Sequence, residues 1–394
     1  NLNSRYGWLL YERAAIALVA EYRKIPLFIS GQSLGPVLSN TDAEVLERML
    51  RSAVAVAVRE RGSYAWCTER GIEALAGADD ATDYAPHSPE LTLEYPESVA
   101  VPELPQRYVC VTINDADDEQ AQNLAELLEY TYQEHGLSTV FLSHMGNPAQ
   151  AAVAGERGDY EVHARIAEQM HTPATLVPIT HADAAVRIHR GAALTLTSRY
   201  HPAVFGLAVG VPVVALVPDA FTEMRLTGVM KHYGVGEFIT PLEMLGTAIP
   251  SLLLDAAVQL NDPELGATFT ELQAPRRAEV LGALAEWRQY VWERISGNDE
   301  AREPQNLPKV HQVEALNEPL RGVNRAARRL LRRTSLEAGN EWALSDRMHS
   351  WEDARRREIE EKDREIARLR ERAEAAERKL AEYQGSLLKR ILRR

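Results

Sequence analysis

The sequence predicts an α/β protein of two doubly wound domains followed by a helical, coiled-coil tail. Three observations predict it. Short apolar runs alternate with amphipathic helical patterns through the first 296 residues. A Pro-rich stretch divides that alternation in two. Past residue 340 the pattern becomes a seven-residue apolar repeat set among charges of alternating sign.

The elements follow in order. Residues 8–22 carry a helical apolar pattern and residues 26–30 a strand-like run. Residues 41–51 read as a helix, with Thr41 as N-cap and Glu44 completing a capping box. Residues 53–58 alternate Ala and Val and read as a buried parallel strand. A helix over about 62–69 stops at Gly71. Asp83, Pro86, Pro89, Pro96, Pro102 and Pro105 make 83–106 a loop or linker. Strands are then expected at 108–113, 139–143, 174–177, 192–197 and 211–217. Helices are expected at 117–135, closed by Gly136, at 159–170, at 183–190, from about Pro202, and onward to about 296. The domains are thus 1–100, shorter and truncated in character, and 101–296. A linker and basic segment covers 297–340, and a coiled coil with a basic amphipathic end covers 341–394.

Composition narrows the function. The net charge is −13, but residues 321–394 carry 21 Lys and Arg against 14 Asp and Glu, a net of +7. The body therefore holds −20, which excludes nucleic-acid binding by that part. No run of 18 apolar residues exists to span a membrane. The two cysteines, Cys67 and Cys110, lack metal or redox spacing and read as reduced packing residues of a cytoplasmic protein. No metal site or cofactor is expected.

Three segments could carry chemistry, each at the end of a strand. Ser198-Arg199-Tyr200-His201 lies on a turn into a helix, where Arg supplies a planar donor fork, His a titratable proton, and the helix N-terminus an anion site. The same residues also suit an Arg–Asp ion pair and a histidine filling a helix start. Ser30-Gly31-Gln32-Ser33-Leu34-Gly35-Pro36 has glycines that admit close backbone approach, or a plain tight turn. Val58-Arg59-Glu60-Arg61-Gly62-Ser63 places charges at a strand end, or on a solvated loop. His144 also follows a strand and lines the cleft or packs. His181 and His189 read as surface residues, Asp159 as an N-cap rather than a base, and Glu223 and Arg225 as a solvated face or an acceptor contact.

Together and in this order, these segments resemble the polysaccharide pyruvyl transferase family. Residues 31–36 look like its G-Q-S-x-G-P element, 58–63 its V-R-E/D-x-x-S element, and 198–201 with Gly206, Gly210, Val211 and Pro212 its S-R-x-H…G-x-P element. Asp83-Tyr84-Ala85-Pro86 departs from its D-P-x-F element, and a G-N-x-G-D-type loop is not found. The resemblance spans about residues 25–235. It implies a GT-B-like pair of Rossmann-like domains that transfers pyruvyl from phosphoenolpyruvate to a sugar of a cell-surface polysaccharide or its precursor, forming a ketal. It implies His201 as general acid with Arg199 as the catalytic fork, and Arg59, Gly31, Gln32, Ser33, Ser198 and His144 as substrate-binding residues. The alternatives are a GT-B glycosyltransferase using a nucleotide sugar, and a non-catalytic scaffold of the same kind.

The tail adds partners. Ile359, Ile366, Ala373, Leu380 and Leu387 recur every seven residues, with Leu369, Ala376 and Tyr383 at the second apolar position and Lys362 interrupting it. A homo-oligomer follows from a coiled coil, whereas a single helix laced by ion pairs would remain monomeric. Leu387, Leu388, Ile391 and Leu392 oppose Lys389, Arg390, Arg393 and Arg394, a face suited to peripheral contact with the inner membrane surface.

Overall fold

A computed structural model of the chain describes residues 2–4, 7–36, 38–87, 102–145, 158–178, 181–261 and 268–308. The chain divides into two units, Asn1–Arg328 and Arg329–Arg394, and every described residue lies in the first. The expected heptads and the basic amphipathic end lie outside the described residues.

Two parallel sheets build the first unit. The smaller holds β1 (Phe28–Gln32), β2 (Ala55–Val58) and β3 (Leu75–Ala76) in the order β1-β2-β3. The helices around it are α1 (Gly7–Arg23), α2 (Asn40–Ser52) and α3 (Arg61–Glu69), while α4 (Ala81–His87) follows β3 and packs on the larger sheet's side, against Val186 and Phe205. The strand period of two explains how both faces are covered. Val56 and Val58 point to a core of Leu10, Leu46, Leu50 and Cys67. The small Ala57 points the other way, leaving room for the large rings of Trp287 and Tyr290.

The larger sheet holds β4 (Tyr108–Thr112), β5 (Ser138–Leu142), β6 (Ala174–Val177), β7 (Leu194–Thr197), β8 (Val213–Val217) and β9 (Ile239–Pro241). Its order, β6-β5-β4-β7-β8-β9, reverses direction between β4 and β7, and each pair is parallel. That is a doubly wound, Rossmann-like sheet, whose ligand crevice opens at the reversal. Its helices are α5 (Asp118–His135), α6 (Asp159–Ala167), α7 (Ala182–Gly191), α8 (Tyr200–Ala208), α9 (Ala220–His232) and α10 (Ala248–Gln259). Val109, Val111 and Ile113 face Leu124 and Leu128 of α5, while Tyr108 and Cys110 face Ala185 and Ile188 of α7. The expected α/β class, with Rossmann-like parallel sheets, is therefore present.

The last helix, α11 (Phe269–Ile295), joins the two sheets. It starts under the larger one, with Phe269 in that core, and ends on the smaller, where the Trp287 Nε1–H donates to Ser30 Oγ at 2.8 Å. Beyond it the Leu307 amide donates to Ala76 O at 2.8 Å, and Asn306 Oδ1 accepts from the Ala76 amide at 2.7 Å. The stretch expected to be a linker thus begins by covering the edge of β3.

Other elements depart from expectation. The N-cap of α2 is Ser39, not Thr41: Ser39 has the extended backbone a cap requires, and its Oγ accepts from the Asp42 amide at 3.1 Å. Residues 81–87 are helical despite Pro86, because Ala85 is buried against Val186, Phe205 and Ala208. The capping box of α5, Asp117 with Gln120, and its left-handed Gly136 follow local rules.

Where α9 meets the smaller domain, Gly228 allows a close approach: a Cβ there would lie 2.5 Å from the Cβ of Glu60. Gly228→Ala is expected to lower stability by about 1–3 kcal/mol through overpacking. Urea unfolding would check this; an unchanged midpoint would show that the interface yields.

Candidate active site

The site begins at the reversal of the larger sheet. Thr197 Oγ1 donates to Thr112 O at 3.0 Å, and the Asn114 amide donates to Ser198 Oγ at 2.9 Å. The Ser198 hydroxyl donates in turn to Asn114 Oδ1. Ser198 therefore laces the turns after β4 and β7 to each other.

Arg199 comes next on the turn. Its Nε lies 2.8 and 2.9 Å from the two carboxylate oxygens of Asp159, and its Nη2 lies 2.5 Å from Oδ1. Asp159 is fully buried, and its Oδ2 also accepts the amides of His144 and Met145, each at 2.9 Å. Asp159 is not the N-cap of its helix; that position belongs to Gly158. Its carboxylate instead compensates Arg199, as a buried charge requires. Nη1 of Arg199 faces the Met145 sulfur at 3.2 Å, leaving that nitrogen as the part of the fork turned away from Asp159. The Arg199 side chain remains 25% exposed.

Helix α8 then starts with no side chain capping it, so the amides of Tyr200 and His201 keep their anion-binding capacity, while Pro202 has none to offer. His201, on that first turn, is exposed, and no hydrogen bond ties its ring among the described residues. Its ring lies edge-on to Tyr200 and near Phe205, at 5.6 and 6.1 Å between centroids. Surrounding protein displaces enough water to lower its pKa below the ordinary histidine value; Asp79 opposes this, while Arg59 and Arg225 add to it.

Phe205 gathers two more histidines. The His144 and His189 rings lie 6.0 and 6.2 Å from it, and their Nε2 atoms are 3.3 Å apart. His189 is fully buried rather than superficial, because α7 turns it inward onto Thr195. Burial lowers the pKa of His189 to about 3 and that of His144 well below the usual value, so both are neutral near pH 7.

The smaller domain supplies the facing wall. Arg59, at the end of β2, is 6% exposed. Its Nε donates to Ser33 Oγ at 2.7 Å, and its Nη1 pairs with Asp79. Glu60 accepts from the hydroxyls of Ser33, at 2.9 Å, and of Ser63. Burial opposes the charge of Arg59, but Tyr200, Asp79 and Glu60 outweigh it and hold its pKa above the ordinary value. Burial dominates at Glu60 and raises its pKa despite Arg59 and the two hydroxyls. The Arg59 guanidinium stacks 4.1 Å above the Tyr200 ring, which joins the two domains across the crevice. His232 Nε2 donates to Arg59 O at 2.7 Å from α9. Gly31 takes a left-handed φ of 59° beside Asp80, and Gln32 donates to Ser30 O at 3.1 Å.

Ser33 and Arg59 thus share one network on one wall, with Gly31 and Gln32 beside it on β1. Ser198, Arg199, His201 and His144 share the other. Asp79, Glu60, Asp159 and His189 join them by long-range contacts that carry no local sequence signal, apart from the place of Glu60 within the V-R-E/D-x-x-S segment. Arg225 lies not on a plain solvated face but over Phe221, at 4.0 Å, and near Tyr200, at 5.7 Å. Among the described residues no His, Cys, Asp and Glu cluster is placed to hold a metal, and no helix is long and apolar enough to cross a membrane.

Comparison with known proteins sets this geometry in context. A sequence model described as polysaccharide pyruvyl transferase matches residues 1–219, more than half of the 394. The chain belongs to this family. The match takes in both walls of the crevice, from Gly31 to His201. No curated protein matches the chain. Among solved structures, a putative UDP-N-acetylglucosamine 2-epimerase from Listeria monocytogenes is 16% identical with a TM-score of 0.48, over 75% of this chain and 74% of that one. S. aureus MnaA with UDP is 12% identical with a TM-score of 0.47, over 74% and 73%. UDP-GlcNAc 2-epimerase from Methanocaldococcus jannaschii is 11% identical with a TM-score of 0.44, over 68% and 73%. The description of this pyruvyl transferase family member as two Rossmann-like domains rests on its own sheets.

Arg59→Met removes the cation but keeps much of the bulk. It strands Asp79 and Glu60 in the interface, and a loss of about 3–5 kcal/mol in urea unfolding is expected. A loss below about 1 kcal/mol would show that water reaches these carboxylates.

Proposed function

We propose that this chain transfers the three-carbon unit of phosphoenolpyruvate onto two hydroxyls of a sugar in a cell-surface polysaccharide or its precursor, giving a cyclic pyruvate ketal and inorganic phosphate. The observation that most supports this reading is the placement of His201. It is an exposed imidazole without a hydrogen bond among the described residues, on the uncapped first turn of α8, at the mouth of the crevice.

The substrate carries a carboxylate and a phosphate. The α8 amides and Arg199 Nη1 hold one of these groups, and Arg59 adds positive potential from behind Tyr200. His144 contacts the same substrate from the larger domain, while Gly31, Gln32 and Ser33 shape the facing wall. Ser198 contributes by keeping the two strand ends in register beside the bound anion.

An arriving anion favours the charged imidazole and raises the pKa of His201, which then acts as general acid. Its N–H proton passes to the methylene carbon as the C=C electron pair forms the new C–H bond. The cation left at C2 is captured by one sugar hydroxyl, whose proton returns to His201. The second hydroxyl attacks C2, the bond from C2 to the phosphate oxygen breaks, and the second proton leaves with phosphate.

His201→Ala is expected to reduce acceptor-dependent phosphate release from phosphoenolpyruvate by about 10²–10⁴-fold while leaving the thermal unfolding midpoint in place. Full turnover by that variant would remove His201 from the chemistry. Calorimetric titration with phosphoenolpyruvate and, separately, with UDP- and GDP-sugars distinguishes the donor; binding of a nucleotide sugar alone would replace the pyruvyl reading by glycosyl transfer.

The lowered pKa of His201 in the free protein gives a second expectation. A general acid must be protonated, so kcat/KM falls as pH rises through that pKa. The alkaline limb should therefore lie below the ordinary histidine value of about 6.5. A limb well above about 7 that survives in His201→Gln would point to another acid.

A further inference from the structure

The His144–His189 pair is not explained by substrate contact, because His189 is fully buried behind His144. The contacts of this pair constrain where its protons lie. Thr195 Oγ1 is buried and lies 3.1 Å from His189 Nδ1, its one hydrogen-bond partner among the described residues. A buried hydroxyl that keeps its hydrogen unbonded costs about 1–3 kcal/mol, whereas a spare lone pair on oxygen costs less. Thr195 therefore donates, and Nδ1 of His189 is the acceptor. The proton of neutral His189 must then sit on Nε2. That atom faces His144 Nε2 at 3.3 Å and donates to it. Neutral His144 is left with its proton on Nδ1, the nitrogen directed away from His189.

The rest of the pocket fixes this ring in place. The His144 amide is held by Asp159 at 2.9 Å, and the ring lies against Phe205 at 6.0 Å and against His189 at 5.5 Å. The residue is half-buried rather than enclosed. It shares Phe205 with His201.

We infer that His189 and Thr195 are positioning residues, which hold His144 as a neutral Nδ1–H donor toward an anionic oxygen of the substrate. The inference rests on the reading of the crevice as a phosphoenolpyruvate site, and it deepens that reading: one histidine carries the mobile proton and another, locked by two buried partners, supplies a fixed hydrogen bond. A neutral imidazole of this kind binds carboxylate or phosphate oxygen without becoming an acid itself. The tautomer is set by what the far nitrogen touches, as with ligands oriented by a second layer of partners.

The test uses the full chain with ¹⁵N-labelled histidine, and the His144 signals are assigned by their loss in His144→Gln. In the unaltered protein, His144 should show a protonated Nδ1 and an unprotonated Nε2. Thr195→Ser keeps the hydroxyl and should keep that pattern. Thr195→Val keeps the shape but loses the donor; the His144 pattern should shift toward protonated Nε2, and kcat for phosphate release should fall about tenfold with KM changed less. A protonated Nε2 on His144 in the unaltered protein would overturn the inference. So would an unchanged pattern in Thr195→Val, or a shifted pattern with unchanged kcat. If the tautomers behave as expected but phosphoenolpyruvate is neither bound nor turned over, the proposed reaction fails while the proton order along Thr195, His189 and His144 stands.

Discussion

The buried Arg59 cation is the constraint on which the rest of the site depends. Removing a guanidinium from water costs several kcal/mol unless counter-charges and hydrogen bonds replace the lost hydration. Here the replacements come from four places in the chain: Asp79 after β3, Ser33 after β1, Glu60 beside it, and the Tyr200 ring of the other domain. Satisfying that one charge brings together the carboxyl ends of all three strands of the smaller sheet and presses them against the start of α8. Gly228 and His232 close the same joint from α9, the first by lacking a side chain and the second by donating to the Arg59 carbonyl. The width of the crevice follows from these contacts.

A second buried pair does the corresponding work inside the larger domain. Asp159 has no exposure, yet it carries a carboxylate that accepts from two amides and from Arg199. This anchors the turn after β7 to the end of β5, so the order of α8 and the position of His144 are set together. Both clusters exclude water, and the histidines beside them respond by remaining neutral. The site at rest is therefore a set of uncharged imidazoles beside fixed cations. Such a set is suited to an anion: negative charge is attracted by the cations, and beside His201 it offsets the loss of water that lowers the pKa of that ring.

Much of the architecture was legible from local rules. The Asp117–Gln120 capping box and Gly136 bracket α5 because helix ends have unsatisfied amides and carbonyls that only a few residue types satisfy. The β2 strand was legible because four alternating Ala and Val residues suit a sheet covered on both faces. Helix α4 was hidden by its proline, since its stability comes from Ala85 packing on Phe205 and Val186, which lie more than 100 residues away. The site was partly legible: Arg59, Arg199 and His201 stand at strand ends, where a doubly wound sheet places its ligands.

The sequence by itself determined the fold class, the family and the residues at the rim of the crevice, because periodicity, caps and ordered short segments are local properties of the chain. The tertiary structure alone decided which of those residues are committed. It gave Arg199 to Asp159 across 40 positions and Arg59 to Asp79 across 20, and it buried His189 behind His144. These pairings are long-range, and each is enforced by the cost of leaving a charge or a proton unpaired away from water.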